Sequence, residues 1–227
     1  MKLLAVDTAT EACSAALLID GLINERFQLA PKDHTQLILP MIDGLMSDAG
    51  LKPQQLDALA FGRGPGSFTG VRIATGVIQG IAFGADLPVV PVSTLAAIAQ
   101  DYFDHHEGNV AYTAMDARMG EIYWGVYRGN AQGFAELIGH ETVTRANQVG
   151  FPELMGVGVG SGWAVYRHEL MSRLPGLVDR CVSDLLPRAG AIARLADLGF
   201  EQGMAVAVEQ AMPVYLRDKV AKKESER

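Results

Sequence analysis

Short apolar runs separated by turn-forming residues fill the first thirty positions. Leu3 to Asp7 reads as a buried strand ending in a carboxylate, Ser14 to Ile19 as a second strand and Leu22 to Leu29 as a third, with Asp20-Gly21 as a hairpin turn between the last two. The period then lengthens. Leu37, Ile38, Met41, Ile42, Leu45 and Met46 recur at helical spacing and predict a helix from an Asp33 cap to about Ala49, closed by Gly50 and kinked at Pro40. That apolar face is wider than one sheet contact needs, so part of it is expected to meet a partner. Leu56 to Phe61 reads as a strand, Val71 to Phe83 as a helix, Pro88 to Pro91 as a strand and Ser93 to Tyr102 as a helix.

The opening pattern then recurs. Val110 to Asp116 is again a strand ending in Asp, Ala117 to Gly120 a loop, Glu121 to Tyr127 a strand, Arg128-Gly129-Asn130 a turn and Phe134 to Glu141 a third strand. A unit repeated at half the chain length implies two similar lobes. The polar stretch Asp104 to Asn109 marks the boundary, giving an N-terminal lobe over 1–107 and a C-terminal lobe over 108–227, with the C-terminal segment free to return to the first lobe. Gly156 to Gly162 reads as a strand and glycine turn, Trp163 to Arg173 and Pro187 to Gln202 as helices, Pro213 to Arg217 as a closing strand and Ala221 to Arg227 as a frayed tail.

The most informative stretch is Gly62-Arg63-Gly64-Pro65-Gly66-Ser67-Phe68-Thr69-Gly70, between the fourth strand and its helix. Gly62, Gly64, Gly66 and Gly70 permit positive φ or close backbone approach, and Ser67 or Thr69 can cap the helix. Such a loop can cradle phosphate at a helix N-terminus, or it can be a sharp turn that orients the helix. It has no Gly-Lys-Ser/Thr ending, and Ser67 stands where a dinucleotide fingerprint needs its third glycine. Along the helix, Gly76, Gly80 and Gly84 fall at i, i+4 and i+8, each about 1 kcal/mol worse than alanine in a helix interior. Three in register predict that another backbone packs close to that face.

Composition narrows the classes. The 227 residues are 49% hydrophobic, with a net charge of −7, which argues against direct binding of RNA or DNA by a basic face. Cys13 and Cys181 make no disulfide framework or zinc spacing, and reduced thiols in the cytoplasm are the expectation. Asp7, Thr8, Thr10 and Glu11 interrupt the N-terminus too early for a signal peptide, and no stretch is expected to span a membrane.

Asp7 and Asp116 are the sharpest candidate pair: each ends the first strand of its lobe, where facing lobes can aim both at magnesium on a nucleotide. Equally, each can cap its own loop, since Thr8-Ala9 and Ala117-Arg118 stand where a phosphate loop wants glycine. Arg118 can meet a phosphate, pair with Glu121 or fill the pocket. Gly158 and Gly160 can border an adenosine or form a bare turn. His34, His105, His106, His140 and His168 assemble no metal spacing, and Ser67 and Ser161 lie outside GxSxG.

Val6-Asp7-Thr8-Ala9-Thr10 with Cys13-Ser14, the run Phe61 to Ile73, Met115-Asp116-Ala117-Arg118 with Glu121-Ile122-Tyr123, and Pro213 with Tyr215-Leu216-Arg217 closely resemble the TsaB (YeaZ) family over nearly the whole chain. The resemblance implies an α/β, actin-like and sugar-kinase-like (ASKHA) fold of two related lobes. It also implies a non-catalytic subunit needed for threonylcarbamoyladenosine beside the anticodon of tRNAs reading codons that start with A. In that family TsaD carries the metal and transfers the threonylcarbamoyl group, TsaE is the ATPase of the complex, and TsaC makes the activated adenylate. No cofactor is expected on this chain itself, ATP and magnesium serving the complex, and tRNA is reached only indirectly. TsaB proteins form homodimers through N-lobe helices, and their contact with TsaD resembles that dimer. Leu37, Met41, Leu45, Arg72, Ile73, Gly76 and Gly80 are the residues expected at this contact. Competing readings are an autonomous ATP-dependent phosphotransferase using Asp7 and Asp116, and a peptidase.

Overall fold

A computed structural model describes residues 1–217. The first sheet contains β1 (Lys2–Asp7), β2 (Ala12–Ile19), β3 (Leu22–Leu29), β4 (Ala58–Gly62) and β5 (Val89–Val92), in the order β3-β2-β1-β4-β5. The second contains β6 (Val110–Arg118), β7 (Glu121–Gly129), β8 (Ala135–Thr144), β9 (Gly156–Val159) and β10 (Val178–Val182), in the order β10-β9-β6-β7-β8. Strand for strand the two orders are the same. Each sheet has an antiparallel meander of three strands and two parallel additions. The duplication read from three strands thus extends to five, and the fold is that of the actin-like, sugar-kinase-like class.

Alternation places the core. Leu4, Val6, Leu17, Leu59 and Phe61 face the helices α1 (His34–Asp48) and α2 (Phe68–Ala85). The opposite face carries Ala5, Ala16, Ala58 and Ala60, small enough for Ala189, Ala193 and Ala196 of α6 (Ala189–Glu201) to approach closely. The C-terminal helix therefore returns to the first sheet. In exchange, α3 (Thr94–His105) leaves the first sheet to pack on β6, β7 and β8. Trp163 and Trp124 anchor the other face of the second sheet, their indole N–H groups donating to the carbonyls of Tyr112 and Gly150 at 2.7 and 2.8 Å.

Several boundaries differ from the sequence reading. The helix expected over Trp163 to Arg173 is two pieces, α4 (Gly162–Val165) and α5 (Arg167–Arg173), broken at Tyr166. Strand β10 had no prediction. Pro213 to Arg217 forms no strand but crosses the surface as an extended strap, held at Val214, whose N–H donates to the Arg63 carbonyl at 2.8 Å. Asp33 stands at the start of α1 without capping it through its side chain. By length and composition α2, 18 residues with a mean hydropathy of 1.2, is long and apolar enough to cross a membrane, contrary to expectation; here its inner face lies on β4 and β1. The tail expected over Ala221 to Arg227 lies outside the described residues.

Candidate functional site

The glycine loop is filled by the chain's own atoms, mostly backbone. A Cβ on Gly62 would stand 1.9 Å from the Asp7 Oδ2, one on Gly66 2.5 Å from the Ala9 carbonyl oxygen, and one on Gly70 2.0 Å from that of Thr8. Gly64 adopts φ +101°, and a Cβ there would lie 2.9 Å from the Val214 carbonyl oxygen. The Ser67 N–H donates to the Ala9 carbonyl at 2.7 Å, and the Thr8 hydroxyl donates to the Gly70 carbonyl at 2.7 Å. Ser67 caps α2, its Oγ accepting from the Gly70 N–H at 3.3 Å. These glycines are needed because the β1–β2 loop lies against them; that loop occupies the space a phosphate would need beside Gly66 and Gly70.

Asp7 does not face Asp116 across a cleft. It is fully buried: its Oδ1 accepts from the Ala9 N–H at 3.0 Å, and its Oδ2 has no hydrogen-bond partner among the described residues. Burial raises its pKa to about 7, the Ala9 hydrogen bond opposing only part of that shift. Cys13, equally buried, is raised to about 11 by desolvation and by Asp7, so its thiol is unreactive. Asp116 holds its own turn. Its Oδ1 accepts from the Arg118 N–H at 2.9 Å and its Oδ2 lies 3.2 Å from the Arg118 guanidinium, whose side chain is 86% exposed. Glu121 pairs instead with Arg217 at 2.6 Å. Gly158 is a packing position, because a Cβ there would meet the Trp163 ring at 2.4 Å, and Gly160, at φ +93°, abuts the Ala114 carbonyl.

A cleft of about 1040 Å³ does separate the lobes. Its walls are the Pro65–Val71 turn and the start of α1 on one side, Asp116 to Arg118 with Ser161 on the other, and the strap from Val214 to Arg217. Asp7, Thr8, Gly158 and Gly160 do not line it. Among the described residues no three His, Cys, Asp or Glu side chains converge in a way that can hold a metal. Backbone groups also claim the histidine at the cleft: His34 Nε2 lies 2.7 Å from the Thr10 carbonyl.

The outer face of α2 is different in kind. Gly76, Gly80 and Gly84 are exposed, and a Cβ on any of them would meet nothing within 4 Å among the described residues. Phe83 is 81% and Phe68 61% exposed on the same helix. The close backbone neighbour expected on this stripe is not supplied by the described part of the chain. The α1 expectations separate: Met41 and Leu45 are core residues, packed with Ile38 and Ile78 and unavailable to a partner, and Leu37 is half-buried, while Leu39 is exposed. Ile73 is half-buried at the cleft, and Arg72 is exposed but lies over the Phe68 ring, 3.4 Å from its centroid.

Comparison with known proteins decides the family. The chain is 44% identical over 225 residues to the tRNA threonylcarbamoyladenosine biosynthesis protein TsaB of Escherichia coli, covering 97% of this chain and 96% of that protein. It is 42% identical to the Haemophilus influenzae TsaB, covering 97% and 95%. This chain belongs to the TsaB family. The solved YeaZ of Pseudomonas aeruginosa superposes with a TM-score of 0.88 at 43% identity, covering 95% of this chain and 99% of that one. A wider family model, described as TsaD: tRNA N6-adenosine threonylcarbamoyltransferase, matches residues 28–224, so this TsaB-family chain also shares the architecture of that group.

For this TsaB-family member, sequence reasoning missed the strap. Tyr215 lies against Phe68 at a centroid distance of 6.2 Å and under the Arg72 guanidinium at 4.9 Å. Pro213 to Arg217 looks like a closing strand in the sequence; the aromatic and cationic residues there were the available signal of a cross-lobe contact.

Proposed function

We propose that this chain is a non-catalytic, activating subunit for threonylcarbamoyladenosine formation in tRNA, presenting the open glycine face of α2 to a TsaD-related partner in the cytoplasm. The observation that carries the reading is the contrast between its two glycine sets. Those of the loop are crowded by the chain's own atoms, whereas Gly76, Gly80 and Gly84 leave a helix backbone bare among the described residues. A bare stripe about two turns long admits another helix at close range, and in the absence of TsaD a second copy of this chain can use it. ATP and magnesium then serve the complex, with TsaE, rather than this subunit. The charge of −7 fits a subunit that leaves tRNA contact to its partners.

The test is reconstitution of the modification with and without this chain, alongside ATP turnover by the chain alone. The reading expects product formation to depend on the chain, and isolated turnover far below about 1 per second, the low end of ordinary enzyme rates. Undiminished modification without the chain, or turnover at that rate by it alone, overturns the reading.

A further inference from the structure

The strap over residues 211–217 touches both lobes, and beyond Ala211 its contacts lie outside the hydrophobic cores. At its start Ala211 is buried against the first-lobe core, and its carbonyl accepts from Gln79 Nε2 on α2 at 2.9 Å. Val214 is bonded to Arg63, and the Gly64 position is constrained by the Val214 carbonyl. Tyr215 joins Phe68 and Arg72 in a ring–guanidinium–ring group at the start of α2. Two residues later the anchor changes lobe. Arg217 donates to Glu121 Oε2 at 2.6 Å and to the Arg118 carbonyl at 3.4 Å, both at the β6–β7 turn. The Arg217 side chain is only 17% exposed, so water screens this pair less than it screens Arg118 with Asp116.

We propose that this strap is a clamp that fixes the angle between the lobes and holds the cleft at one width. Among the described residues, α3 and α6 pack on each other between the sheets. Val214 to Arg217 form part of the cleft wall, so the strap ties the lobes at a different place, beside the opening itself. A tie there opposes rotation about the α3–α6 contact, and Tyr215 with Arg217 makes it from side chains rather than from a continuous sheet. Breaking the Arg217–Glu121 pair leaves both cores intact while releasing one end of the clamp.

The experiment measures the distance between spin labels on cysteines placed at Ser47 in α1 and His168 in α5, both exposed, in the full chain carrying Cys181→Ser. The labelled chain is diluted into an excess of unlabelled chain, so only distances within one copy are read and the outcome is independent of the proposed function. The clamp predicts one narrow distribution for the parent and a shifted, broader one for Arg217→Glu. It also predicts that Glu121→Arg combined with Arg217→Glu restores the narrow distribution, and that Tyr215→Ala broadens it. A parent distribution unchanged by Arg217→Glu, or one that the charge exchange fails to restore, overturns the inference.

Discussion

Asp7→Asn separates a structural carboxylate from a functional one by its pH dependence. The folded pKa of about 7 stands above the ordinary value of 3.8 because burial disfavours the charged form. The folded state therefore holds a proton that the unfolded state has lost between those two values, and stability falls as pH rises through that window. At 1.36 kcal/mol per unit, ionising Asp7 withdraws about 4 kcal/mol in all, and about 2.5 kcal/mol of that falls between pH 5 and pH 8. Asparagine keeps the oxygen that accepts from the Ala9 N–H and carries no charge at any of these pH values. Other titrating groups, including Asp101 with its own raised pKa, are common to both proteins and cancel in the difference. Urea unfolding of both at pH 5, 6, 7 and 8 should show Asp7→Asn gaining on the parent by about 2.5 kcal/mol across the series. A difference that stays flat with pH would show that Asp7 is ionised and solvated or paired in the fold, and the buried placement would be wrong.

Other substitutions test the two glycine sets and the cap. Gly70→Ala drives a Cβ to within 2.0 Å of a backbone oxygen and should destabilise by about 3 kcal/mol or more in denaturant melts. Gly84→Ala, with open space around it, should instead stabilise by about 0.5–1 kcal/mol in the isolated chain. Ser67→Ala removes the oxygen that accepts from the Gly70 N–H and should lose about 1 kcal/mol in the same melts.

What the chain revealed before its fold follows from what periodicity encodes. The pattern of short apolar runs bounded by turn residues located nine of the ten strands among the described residues, because strands such as β4 are buried along their whole length and admit no polar side chain. It did not locate β10, where Asp179 and Arg180 interrupt a short edge strand and the register shifts against β9. Helical spacing found α1 but could not say which apolar residues turn inward, so Met41 and Leu45 were assigned to a surface when they belong to the core. Glycine is ambiguous in the same way. Gly62, Gly66 and Gly70 are required by neighbours distant in sequence, namely Asp7, Ala9 and Thr8, while Gly76 and Gly80 face open space, and only the fold separates the two cases. The paired strand-end aspartates were legible as a duplication; which of them reaches the cleft depended on β1–β2 loop packing, which the local sequence does not encode.

The central claim concerns the bare face of α2, and Gly80→Leu tests it most directly. Leucine adds helix propensity of nearly 1 kcal/mol in a position with nothing around it, so the isolated chain should melt no lower than the parent. The same side chain blocks close helix approach. In a binding titration against the proposed TsaD-related partner, with sizing chromatography of the chain alone, the account predicts that a fully folded Gly80→Leu protein loses both the complex and the self-association. Unchanged affinity for the partner and an unchanged oligomer from that folded variant would contradict it.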